Sequence, residues 1–166
     1  SSVIFDACES NSLSINRLVE LGGGCGGLMS IFMRRNHDLE FSIFDIPELL
    51  PLQYIYMNSV CRYNISEPLI PTNKFKDIQS INEESSRGSV FISNWALTES
   101  TKDLQKFAIE SKFFAATASF ICCEDNNNNH PDSQYIHQYL EKHSTWSKRL
   151  IGTMSNSKLF FFDLRS

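Results

Sequence analysis

The chain has 166 residues, 42% of them hydrophobic, and a formal net charge of -4. That length suits one domain with one continuous core, and the negative balance supplies none of the broad cationic field that gathers phosphate backbones, so nucleic acid is not an expected partner. The longest mainly apolar runs, such as Lys112 to Cys123, are too short and too interrupted by polar residues to cross a bilayer.

The opening stretch Ser1 to Asp6 has no basic region followed by a long apolar one, so it does not read as a signal peptide. Lacking an initiating Met, it reads as a trimmed boundary with residues upstream. Arg17 to Leu21 is predicted as the first strand. A glycine run follows, and Leu28, Ile31 and Phe32 then supply the i, i+3, i+4 apolar set of a helix ending near Asn36. Leu39 to Asp45 reads as a second strand. Pro47 suits the first turn of the next helix, whose buried stripe is Leu49, Leu50, Tyr54 and Met57. A third strand is predicted at Pro68 to Thr72, before a polar stretch from Asn73 to Gly88 with no assigned element.

Ser89 to Trp95 is predicted as the fourth strand, Thr101 to Phe113 as a helix opened by a capping threonine, and Phe114 to Cys123 as the fifth strand. Glu124 to Asp132, with four consecutive Asn, is a loop, and Ser133 to Lys142 a helix. Trp146 to Met154 and Lys158 to Leu164 then read as two strands joined through Ser155-Asn156-Ser157. Strands alternating with helices announce an α/β fold. An antiparallel hairpin at its end departs from a simple dinucleotide-binding fold, which more often closes on further parallel units.

Five cysteines (Cys8, Cys25, Cys61, Cys122, Cys123), an odd count without Cys-x-x-Cys spacing, fit reduced thiols in a cytoplasmic protein better than a disulfide frame or a zinc site. The triplet Asn64-Ile65-Ser66 matches a glycosylation sequon, but such triplets arise by chance and the thiol usage argues against secretion.

Gly22, Gly24 and Gly27 keep the G-x-G-x-x-G spacing between a predicted strand and a predicted helix, within a window where Gly22, Gly23, Gly24, Gly26 and Gly27 leave only Cys25 with a side chain. A bend of this kind needs backbone angles closed to other residues, and a ligand against the main chain leaves no room for a Cβ. The N-H groups at the helix start then hold a carboxylate or phosphate. Asp45, at the end of the second strand and about twenty residues on, is placed to accept both ribose hydroxyl protons of a nucleoside. Glu20 separates two cofactor classes. A carboxylate two residues before the first glycine repels the phosphates of NAD(H), but attracts the amino group and sulfonium of S-adenosylmethionine.

The stretches Leu18-Val19-Glu20-Leu21-Gly22-Gly23-Gly24-Cys25-Gly26-Gly27-Leu28 and Phe44-Asp45-Ile46-Pro47-Glu48-Leu49-Leu50-Pro51-Leu52-Gln53 resemble the sugar O-methyltransferase family within the class I S-adenosylmethionine-dependent methyltransferase superfamily. They are also similar to the plant small-molecule O-methyltransferases, in which a GGG-type loop is followed by Phe-Asp-Leu-Pro. The resemblance covers about the first third of the chain.

It implies a Rossmann-like three-layer sandwich with a seven-stranded, mostly parallel sheet of order 3-2-1-4-5-7-6 and an antiparallel last strand, residues 1–166 forming a single S-adenosylmethionine-binding domain. It also implies that Glu20 and the loop glycines Gly22, Gly23, Gly24 and Gly26 meet the methionyl end, that Asp45 meets the ribose, and that Ile46 flanks the adenine. Asn94 is expected to line the cofactor pocket after the fourth strand.

Plant O-methyltransferases carry a His-Asp pair where this chain has Thr98-Glu99. The usual imidazole base is therefore missing, and Glu99 becomes the candidate catalytic residue, although a Glu there also suits a helix first turn. His130, His137 and His143 are weaker candidates, and no spacing suggests a metal site. The phenylalanines of the late strands are read as core. The expected activity is methyl transfer to a hydroxyl of a sugar or other small metabolite. A methyltransferase-like binding module without turnover is the rival, motivated by the missing His and the short N-terminal segment, and an NAD-dependent enzyme ranks third.

Overall fold

Strand β1 (Arg17–Leu21) lies inside the sheet, and its Leu18, Val19, Glu20 and Leu21 are all buried. A strand covered on both faces reads as a continuous apolar run rather than an alternation, which is why Arg17-Leu18-Val19-Glu20-Leu21 carries one acid in an otherwise apolar interior. The computed structural model describes residues 2–35, 38–60, 69–71, 89–124, 133–150 and 157–165. The polar stretch 73–88, the sequon at 64–66, Cys61, the Asn run, His130 and the end of the sixth predicted strand at 151–154 lie outside these residues.

In chain order the elements are α1 (Ser2–Ser10), β1, α2 (Gly27–Arg35), β2 (Glu40–Asp45), α3 (Leu50–Ile55) running into a π-helical turn (Tyr56–Val60), β3 (Leu69–Pro71) and β4 (Ser89–Asn94). There follow α4 (Ala96–Glu99), α5 (Lys102–Glu110), the single turn α6 (Lys112–Ala115), β5 (Ala118–Glu124), α7 (Ser133–His143), β6 (Trp146–Leu150) and β7 (Ser157–Asp163). The seven strands form one sheet of order β3-β2-β1-β4-β5-β7-β6. Strands β1 to β5 pair in parallel, and β7 runs antiparallel to both β5 and β6. The terminal hairpin expected from the sequence is thus the β6-β7 pair.

Two cores sandwich the sheet. Ile4, Ala7 and Cys8 of α1 and Met29, Phe32 and Met33 of α2 pack on one face. On the other, Leu97, Leu104, Ala108, Phe113, Phe114, Ile136 and Leu140 come from α4, α5, α6 and α7. Helix α5 opens as expected on Thr101, whose Oγ1 accepts a hydrogen bond from the Leu104 N-H, but it stops at Glu110 instead of running on to Phe113.

Lys112, Phe113, Phe114 and Ala115 all take positive φ, between 49° and 61°. A left-handed turn costs about 1–2 kcal/mol per L-residue. Burial of Phe113 and Phe114, at 1% and 3% exposure, offsets this, since each ring contributes roughly 2–3 kcal/mol. Strand β5 consequently begins at Ala118, not Phe114. Helix α1 was not foreseen, and the stripe on α3 is turned: Tyr54 is 54% exposed whereas Gln53 is fully buried.

Candidate active-site crevice

Side chains of a strand alternate between its two faces, so Glu20 shares the face of Leu18, in the core under α1 and α2, while Val19 and Leu21 enter the other core. Glu20 pairs across from Ile43 of β2. Asp45, two residues beyond Ile43, therefore projects on the same face, at the strand's C-terminal end. Between β1 and β4 the connections leave the sheet in opposite directions, and that reversal opens the crevice in which α/β folds hold their ligands.

Glu20 is 2% exposed, and among the described residues its Oε2 accepts no hydrogen bond. Burial, and after it the charge of Asp45, push its carboxyl from the ordinary 4.5 up to about 7. Asp45 is also buried, yet well partnered. The Gly24 N-H donates to its Oδ2 at 3.0 Å, Gln53 Nε2 donates to the same oxygen at 2.6 Å, and the Ile46 N-H donates to Oδ1 at 2.8 Å. Donors gather on one acid, and none reaches Oε2 of the other.

The loop between β1 and α2 holds Gly22, Gly24 and Gly26 at positive φ. At Gly22 two demands coincide. Its φ is +74°, and a Cβ there would lie 2.1 Å from Ala96 Cβ at the start of α4, so the bend touches the segment after β4 only because no side chain intervenes. Among the described residues a Cβ on Gly24 would meet nothing within 4 Å, so the bend is open there beside Asp45. The position of a Cβ on Gly23 is 3.2 Å from Glu20 Oε2, and Gly26 is buried under Met57 of the π-helical turn.

At the end of β4, the buried Ser93 accepts the Leu97 N-H on its Oγ and so starts α4. Asn94 is exposed at the strand end, across from Cys122 of β5. Trp95 has φ 65° and is 43% exposed. Its N-H donates to the Cys122 carbonyl, and its own carbonyl accepts from Thr98 Oγ1 and the Glu99 N-H, bonds that hold an unfavourable backbone conformation in place.

The structure therefore brings Glu20, Gly22, Gly23, Gly24, Asp45 and Ile46 together at the C-terminal ends of β1 and β2, while Gly26 lies behind the bend under Met57. Asn94 stands at the neighbouring strand end. Ile46 is 50% exposed beside Asp45. Glu99 is the exposed last residue of α4, and its carboxylate shares no hydrogen bond or ion pair with Glu20, Asp45 or the loop among the described residues. His137 Nδ1 lies 3.7 Å from Cys123 Sγ between α7 and β5, and His143 stacks on Tyr139. Sequence reasoning missed Gln53. Its spacing from Met57, four residues on and also fully buried, marks the inward face of this segment.

No family model matches the chain, and no curated protein matches it in sequence. Solved structures match it in fold. The methyltransferase domain of bacterial CtHen1 superposes with a TM-score of 0.64 at 14% identity, over 98% of this chain and 96% of that one. The O-methyltransferase TomG of Streptomyces achromogenes, which takes part in tomaymycin synthesis and was solved in complex with S-adenosylmethionine, gives 0.61 at 11% identity over 89% and 73%. Mitomycin 7-O-methyltransferase MmcR gives 0.60 at 12% identity over 90% of this chain, which spans 48% of MmcR. At these identities the likeness is one of fold: this chain shares the Rossmann-like fold of these methyltransferase structures.

Proposed function

We propose that this chain binds S-adenosylmethionine in the crevice at the ends of β1, β2 and β4 and directs methyl transfer to a hydroxyl of a sugar or another small metabolite. The observation that carries the reading is Glu20: a carboxylate that is 2% exposed, with an oxygen left without a donor, beside a glycine bend that opens onto free space at Gly24. A buried acid without a partner is costly unless a cation completes it. A phosphate in its place would face two carboxylates, Glu20 and Asp45, and be repelled.

S-adenosylmethionine supplies a methyl group already activated by its sulfonium, so the protein's share is alignment and exclusion of water. Glu20 and the bare backbone of the bend from Gly22 through Gly23 and Gly24 to Gly26 seat the methionyl end, Asp45 accepts from the ribose, Ile46 covers the adenine, and Asn94 lines the cofactor pocket after β4. Glu99 takes the acceptor's hydroxyl proton, the one role here that asks for a base. Glu99 is exposed at the end of α4, on the same short segment as the exposed Trp95 over which an acceptor would sit.

Calorimetric titration with S-adenosylmethionine and with its demethylated product S-adenosylhomocysteine tests the reading. Binding of both is expected, and absence of heat with either at millimolar ligand rejects it.

A further inference from the structure

We infer that Gln53 makes Asp45 a one-sided acceptor that grips a single hydroxyl of the ribose and sets which of the two is read, an inference that rests on the cofactor reading above. An ionised carboxylate offers about four lone-pair positions. The chain itself fills three at Asp45. The Gly24 N-H and Gln53 Nε2 both donate to Oδ2, and the Ile46 N-H donates to Oδ1. One position remains, on Oδ1, whereas a vicinal diol held in the usual two-point manner needs one on each oxygen.

The Gln53 amide has one workable orientation. Turned over, its carbonyl oxygen would face the Asp45 carboxylate, so Nε2 must point to Oδ2 and Oε1 away, and Oε1 is buried without a hydrogen-bond partner. At 0% exposure Gln53 does not itself reach the crevice surface. It acts through Asp45, as a positioning residue. The placement also accounts for the turned stripe of α3, where an amphipathic reading expects an apolar side chain: Gln53 and Met57 face inward together, one bonded to Asp45 and the other packed on Gly26.

The experiment is a titration of the intact chain with S-adenosylhomocysteine and its 2′-deoxy and 3′-deoxy analogues. A hydrogen bond to a charged acceptor is worth about tenfold to a hundredfold in affinity. Wild type is therefore expected to lose at least about tenfold with one analogue and under about threefold with the other. In Gln53→Met, and in Gln53→Leu as a variant of different shape, one of the two filled positions on Oδ2 is freed while the Gly24 N-H keeps the other, and the ratio between the two deoxy analogues is expected to fall toward one. A merely structural role would weaken all three ligands by a common factor and preserve the ratio, which overturns the inference, as do equal losses for both analogues in wild type even if neither variant folds. Failure of wild type to bind S-adenosylhomocysteine at all is a different result and removes the cofactor reading along with this one.

Discussion

Replacing Glu20 by glutamine is expected to stabilise the ligand-free chain at neutral and alkaline pH while abolishing its affinity for S-adenosylmethionine. Burial first, and the Asp45 charge second, raise the Glu20 carboxyl from 4.5 to about 7. An acid raised on folding holds its proton more tightly in the folded state, so between these two values the folded chain binds more protons than the unfolded one. Stability then falls as pH rises through that window, and the penalty is fully developed above the upper value. Converted at 1.36 kcal/mol per pH unit, the penalty is about 3 kcal/mol.

Glutamine keeps the size and removes the charge. Glu20→Gln should therefore melt close to wild type near about pH 4 and roughly 6–12 °C above it near about pH 8. Circular-dichroism melts across that range decide the matter. A difference that stays flat with pH, or that grows toward acid, would refute the account of Glu20 as a buried acid whose ionisation opposes folding. The same variant titrated with S-adenosylmethionine supplies the opposite sign, a loss of binding where stability is gained, and this separates a ligand-completed carboxylate from a plain packing defect.

Three further substitutions probe the glycine bend and the left-handed turn. Gly22→Ala meets both a φ of +74° and Ala96 Cβ, and should lower stability by about 2–5 kcal/mol, read as a shifted urea midpoint with unchanged slope. Gly24→Ala meets only the φ of +57°, so it should cost about 1–2 kcal/mol of stability. Its methyl points into the crevice, however, and calorimetry should show binding of S-adenosylhomocysteine weakened at least about tenfold; unchanged affinity would mean that the bend is not the ligand's seat. Lys112→Gly, at an exposed position with φ 49°, should raise stability by up to about 1 kcal/mol, since glycine takes that conformation without the steric cost but gives up backbone entropy when it folds. A lowered urea midpoint would deny the left-handed turn.

Much of the crevice was legible because its signals are local. Five glycines between an apolar strand and an amphipathic helix mark a bend that uses backbone angles closed to other residues, and Glu20 and Asp45 fall on one face through strand alternation alone. The hairpin of β6 and β7 was likewise announced by two short strand-like runs on either side of the polar Ser155-Asn156-Ser157. What escaped the sequence depends on tertiary contact. A run of Phe, Ala and Thr has the composition of a strand, so nothing local says that Phe113 and Phe114 wind left-handed to fill the core between α5, α7 and the sheet. Gln53 was passed over because a polar residue counts against burial until the acid it bonds is placed beside it. Helix α1 went unseen because its apolar side depends on the α2 surface against which Ile4 and Phe5 pack.

The contact of Gly22 with Ala96 gives the crevice a shared wall. One bare main-chain carbon stands behind the seat proposed for the methyl donor, and the residue it touches begins the segment that carries Glu99. The two segments meet there through main chain and a single methyl group, so neither can be enlarged without displacing the other.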